Sequence, residues 1–149
     1  MRFIVAFDGS ETATNTLRYA ADVLPGAAFT VVYAAEPELD VAPAVAGGGG
    51  GGASATGDLL VADGIDATER RGRAILAEAM ALGEELGIEV RTVLLYGDPV
   101  TEIADFAMDG GYDGILVGHR GLGERYQEAF GSVAKGLLAR AELPVTVVK

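Results

Sequence analysis

The chain has no cysteine and no tryptophan, one histidine (His119) and two lysines (Lys135 and Lys149) among its 149 residues. Without cysteine there is no disulfide framework, no thiolate metal site, no iron–sulfur cluster and no cysteine nucleophile. A single imidazole excludes a histidine-rich metal site and a catalytic pair of histidines. His119 has no evident partner base or nucleophile in the sequence, so it is not read as catalytic. Long hydrophobic runs are also missing, and nothing approaches the roughly 20 apolar residues of a membrane helix. The opening MRFIVAFDGS carries a five-residue apolar run, shorter than a secretory h-region and without a cleavage site. A cytoplasmic location without membrane association is expected.

Positive charge is scarce as well. Twenty-two acidic residues stand against eleven basic ones, a formal net charge of −11. Such a surface repels nucleic-acid phosphates, so no nucleic-acid partner is expected. The acidity reads either as ordinary hydration of a soluble surface or as adaptation to a salty cytoplasm. Half of the residues are hydrophobic, which excludes a disordered chain. A single domain of this length buries roughly 70% of the surface its unfolded chain exposes.

Apolar patterning alternates between two periods along the chain. Residues 2–7 (RFIVAF) form an apolar run that stops at Asp8-Gly9-Ser10, as a buried strand ending in a turn would. Ala13, Leu17, Ala20 or Ala21, and Leu24 then recur at helical spacing behind Ser10 as N-cap, and Pro25-Gly26 ends that helix. Residues 29–34 (FTVVYA) read as a second strand. Residues 37–64 hold Pro37, Pro43 and the glycine run Gly47 to Gly52, and read as a flexible Gly/Ala-rich insertion within one domain. A helix is expected from about Asp66, with Asp66 and Glu69 as a capping box, Ile75, Leu76, Ala79, Met80, Leu82 and Leu86 as its apolar face, and Gly87 as its stop. Residues 88–95 predict a third strand. Asp98 and Pro99 open a helix that Gly110-Gly111 closes. Residues 113–118 and 145–148 predict the last two strands, on either side of a helix carrying Val133 and Leu137. Strict alternation of five strands and four helices implies an α/β domain: a parallel sheet with helices on both faces.

In such sheets ligands bind beyond the carboxyl ends of the strands. The richest of those ends is Gly118-His119-Arg120-Gly121, followed nine residues later by Gly131-Ser132. Glycines let backbone amides approach an anion, and the first amides of a helix are unpaired and partly positive. The Ser132 hydroxyl suits either a helix cap or a phosphate contact, and Arg120 supplies local positive charge. Asp8, Glu36 and Asp98 also stand at strand ends, where they form a candidate magnesium site as well as ordinary turn and cap formers.

Gly-x2-Gly-x9-Gly-Ser between the fourth strand and fourth helix resembles the nucleotide-binding motif of universal stress proteins. Asp8-Gly9-Ser10, Gly97-Asp98-Pro99 and the terminal Leu143-Pro144-Val145-Thr146-Val147-Val148 are similar to that family too, so the resemblance spans nearly the whole chain outside the insertion. It implies a Rossmann-like sheet in the order 3-2-1-4-5 that binds ATP or AMP, with or without Mg2+. Asp8 would contact the ribose or adenine edge, and Ala6, Phe7 and Ala34 would line the base pocket. Gly118, Arg120, Gly121, Gly131, Ser132 and Val133 would hold ribose and phosphates. It also implies a homodimer through Val145, Thr146 and Val147 that regulates a stress response without catalysis. Two departures are Phe7, a bulky ring where many members carry a smaller or polar residue, and the acids Glu124 and Glu128 beside the expected phosphates. Other readings of the same residues are a nucleotide-free protein-interaction dimer, a slow ATP hydrolase, and a phospho-receiver-like module. The hydrolase lacks a Gly-x4-Gly-Lys loop, and the receiver lacks paired acids after the first strand.

Overall fold

The computed structural model describes residues 1–36, 56–120 and 131–149, with the backbone alone for 56–66. Five strands alternate with four helices: β1 (Arg2–Ala6), α1 (Glu11–Val23), β2 (Ala28–Ala35), α2 (Thr56–Leu86), β3 (Val90–Tyr96), α3 (Pro99–Asp109), β4 (Gly114–Gly118), α4 (Ser132–Arg140) and β5 (Val145–Val148). The strands form one parallel sheet in the order β3-β2-β1-β4-β5, as the resemblance implies.

Period-2 alternation sends successive side chains of each strand to opposite faces. Along β1, Val5 and then Phe7 enter the core shared with α1 and α2, while Ile4 and Ala6 enter the core shared with α3 and α4. Leu17, Ala20, Ile75, Leu76, Ala79 and Leu82 fill the first core; Ile103, Ala104, Ala107, Ala134 and Leu137 fill the second. Both faces of the central strands are therefore buried, which is why those strands read as continuous apolar runs.

One boundary differs from the sequence reading. The helix expected from Asp66 begins at Thr56, so Asp66 lies inside α2 and not at its start. Gly57 and Gly64 suggest a loop, at a cost of about 1 kcal/mol each in a helix. Extending a helix that is already nucleated adds one hydrogen bond per residue, and Leu59, Leu60 and Ala62 are good helix formers. The Gly/Ala-rich insertion expected over 37–64 lies outside the described residues as far as residue 55.

Pairing between neighbouring strands is unequal, and that inequality shapes the carboxyl end of the sheet. β1 follows β2 to its end, and Phe7 N–H donates to Val32 O at 2.9 Å. β4 follows β5 to its end, and His119 N–H donates to Val148 O at 2.8 Å. β1 and β4 pair over Phe3–Val5 against Gly114–Leu116. At the other face of β5, donors alternate. Pro144 O and Val148 O accept from β4, so Val145 and Val147 turn their backbone groups toward the free edge.

Helices α3 and α4 touch through Gly136. A Cβ there would stand 2.4 Å from Val100 Cγ2 and 3.2 Å from Val100 Cβ. Gly136→Ala should therefore destabilise the fold by about 1–2 kcal/mol despite the better helix propensity of alanine. Urea denaturation measures this, and adding Val100→Ala should recover part of the loss through coupling of the two sites.

Candidate functional site

The parting of β1 and β4 opens a cleft of about 610 Å³ at the carboxyl end of the sheet. Its volume falls in the usual range of small-ligand sites. Ala6, Phe7 and Asp8 border it from β1, and Val32, Tyr33, Ala34 and Glu36 from β2. Gly118, Arg120, Gly131, Ser132 and Val133 border it from the β4–α4 side, with Asp98 and Pro99 at the start of α3. Of the ten residues expected at a ligand site, nine surround this one cleft; Gly121 lies outside the described residues, as do Glu124 and Glu128.

Local geometry explains how each group arrives there. Gly9 takes a φ of +82°, a conformation costly for residues with a Cβ, and turns the chain from β1 into α1. Asp8 Oδ1 accepts the Ser10 N–H at 2.9 Å, an Asx turn that fixes the carboxylate at the strand end. Phe7 is 3% exposed and packed in the α1/α2 core. Its bulk is accommodated on that side of the sheet, away from the Ala6 and Ala34 side.

Three helices begin at the cleft, and their ends are treated differently. Ser10 Oγ accepts from Ala13 N–H and caps α1. Asp98 Oδ2 accepts from Thr101 N–H at 3.0 Å and from Thr101 Oγ1 at 2.9 Å, capping α3 with a carboxylate. The N-cap of α4 is Gly131, which has no side chain with which to cap. Ser132 is the first helical residue, which corrects its expected alternative role as the cap. The amides that start α4 thus face the cleft with no N-cap side chain over them, the arrangement that suits an anion.

Two features of the site escaped the sequence reading. Thr68 and Arg71 of α2 border the cleft, because α2 packs on β2 and β3. Helical spacing could have found them, since 68, 71 and 75 share a stripe with buried Ile75. Arg71 and Arg120 are the cationic side chains among the described lining residues, against Asp8, Glu36 and Asp98. These three acids share the cleft, yet among the described residues no group of three His, Cys, Asp or Glu side chains is close enough to hold a metal ion. His119 directs its backbone into the β4–β5 ladder and is absent from the described lining. Among the described residues no helix is long and apolar enough to cross a membrane.

Comparison with known proteins places this geometry in a wider set. The chain matches the family model described as the universal stress protein family over residues 1–149. It is 31% identical to the stress response protein NhaX of Bacillus subtilis, covering 99% of this chain and 97% of that protein. The universal stress protein UspA from Lactobacillus plantarum superposes with a TM-score of 0.78 at 20% identity, covering 100% of this chain and 97% of that one. A universal stress protein from Archaeoglobus fulgidus, in complex with dAMP, is 28% identical with a TM-score of 0.65, covering 100% and 98% of the two chains.

The α3 cap gives the site a pH signature. The Thr101 backbone N–H, then its hydroxyl, and more weakly the charge of Arg140 hold the Asp98 carboxyl below the usual carboxylate range. A depressed value in the folded state means the carboxylate stabilises the fold above the unfolded value, and that this contribution fades as pH falls through the folded one. Asp98→Ala should lower the urea midpoint at neutral pH, and the gap from the unmodified protein should shrink in acid below the carboxylate range.

Proposed function

The chain belongs to the universal stress protein family, and from that membership we propose that it is a cytoplasmic, homodimeric regulatory protein of the stress response that binds an adenine nucleotide, ATP or AMP. The observation that carries this reading is the cleft between β1 and β4, onto which the α4 amino end opens behind Gly131. In this reading the base rests against Ala6 and Ala34, with the Phe7 ring on the opposite face of the sheet, and Asp8 accepts hydrogen bonds from the ribose or the adenine edge. Gly118, Gly121, Ser132 and Val133 bring backbone amides to the phosphates, Gly131 leaves room for them while its own N–H donates to His119 O, and Arg120 adds charge. The dAMP complex of the Archaeoglobus fulgidus protein supports an adenine nucleotide as the ligand class. Magnesium, where present, would arrive on the phosphates, with Asp8 or Asp98 as its protein partner.

Binding rather than turnover suits the groups at hand. The described lining holds no histidine and no lysine, and two of its three carboxylates are engaged, in a turn at Asp8 and a cap at Asp98. The dimer reading rests on β5, an edge strand whose Val145 and Val147 backbone groups face outward. An unpaired edge offers a ladder to a second copy.

Asp8→Ala should weaken AMP or ATP binding about ten- to a hundredfold, the loss of hydrogen bonds to a charged acceptor. Isothermal titration reads the affinity, and circular dichroism should show an unchanged fold. Equal affinity in the variant would remove Asp8 from the site. Val147→Pro deletes an outward donor and leaves the β4 ladder untouched. Sedimentation should then report monomers where the unmodified chain gives dimers, and persistence of the dimer would move the interface elsewhere.

A further inference from the structure

The hydroxyl of Thr12, in the first turn of α1, links the two sides of the cleft. Past Val5 and Leu116 the backbones of β1 and β4 no longer pair, so no ladder sets the distance between Asp8 and the Gly118–Arg120 segment. Thr12 Oγ1 donates to the backbone carbonyl of Arg120, a residue 108 positions away in the chain. The same hydroxyl lies 3.2 Å from Ser10 Oγ, and Ser10 N–H holds the Asp8 carboxylate. A continuous chain of polar contacts thus runs from Asp8 through Ser10 and Thr12 to the Arg120 backbone.

Other contacts fix Thr12 itself. The hydroxyl of Thr16, fully buried, donates to the Thr12 carbonyl at 2.7 Å. Gly118 lies directly against this turn: a Cβ at Gly118 would stand 3.1 Å from Thr12 Cβ and 3.2 Å from its carbonyl carbon. The α1 turn therefore holds the end of β4 by contact and by hydrogen bond at once. We propose that Thr12 is a positioning residue that sets the separation between the base side of the cleft, carried by β1 and β2, and the phosphate side, carried by β4 and α4. This inference rests on the nucleotide reading above.

The consequence is specific. Losing the Thr12 hydroxyl leaves Ala6, Asp8 and Ala34 in place, because β1 and β2 stay paired through Phe7 and Val32. It removes the bond by which α1 holds the Arg120 carbonyl at the end of β4. A nucleotide that uses both sides should suffer, and a nucleoside that uses the base side should not.

Isothermal titration of AMP and of adenosine into the unmodified protein, Thr12→Val and Thr12→Ser tests this. Valine keeps the volume and removes the donor; serine keeps the donor. Thr12→Val should weaken AMP about tenfold, the loss expected for one hydrogen bond with a partly buried acceptor, while adenosine changes less than about twofold. Thr12→Ser should recover most of the AMP affinity. Gly118→Ala, which forces the same two segments apart with the hydroxyl intact, should repeat the selective loss of AMP and stands in should the valine variant not fold. Equal losses for AMP and adenosine, no loss in Thr12→Val, or no recovery in Thr12→Ser would overturn the positioning role alone. An unmodified protein that binds neither ligand would remove the nucleotide reading and this inference with it.

Discussion

The structure turns on the parting of two adjacent parallel strands. β1 and β4 share a ladder in their first halves and lose it in their second, because each carboxyl end stays with its outer neighbour. The chain order 3-2-1-4-5 makes this split unavoidable at β1 and β4: the connection after β1 leads to one side of the sheet, and the one after β4 to the other. Everything of functional interest follows from the space so opened. The amino ends of α1, α3 and α4 border that space.

Electrostatics then grades those helix ends. Two of the three that begin at the cleft carry their own caps, a hydroxyl at α1 and a carboxylate at α3. The N-cap of the third is glycine, which has no side chain to place over the partial positive charge at the start of α4. A chain of net charge −11 would attract few anions by its overall field. Local backbone dipoles, with Arg71 and Arg120 beside them, are the means by which such a protein can still receive one.

Most of this architecture was legible from residue order. The apolar runs of β1, β2 and β4 are strands buried on both faces, and Ser10, Asp98-Pro99 and Gly110 mark helix ends by chemistry that operates locally. What escaped was governed by distant parts of the chain. Thr68 and Arg71 reach the cleft because α2 lies against β2 and β3, a packing set by strands elsewhere in the chain. Thr12 looked like an ordinary first-turn residue, and its bond to Arg120 appears only once α1 lies across the end of β4. Phe7 read as an obstacle in the pocket, but the alternation of β1 commits its ring to the opposite core. The order of the strands and the ligand class came from the family resemblance, since periodicity alone gives strands and helices without saying which neighbours pair.

The measurement that bears most directly on the central claim is mass spectrometry of the purified protein, first native and then denatured, with and without added ATP, AMP and magnesium. The account predicts a dimer that carries or takes up one adenine nucleotide per chain and releases it intact on denaturation. A dimer that stays empty in the presence of every added nucleotide would contradict it, and would leave the cleft between β1 and β4 without the ligand its geometry suits.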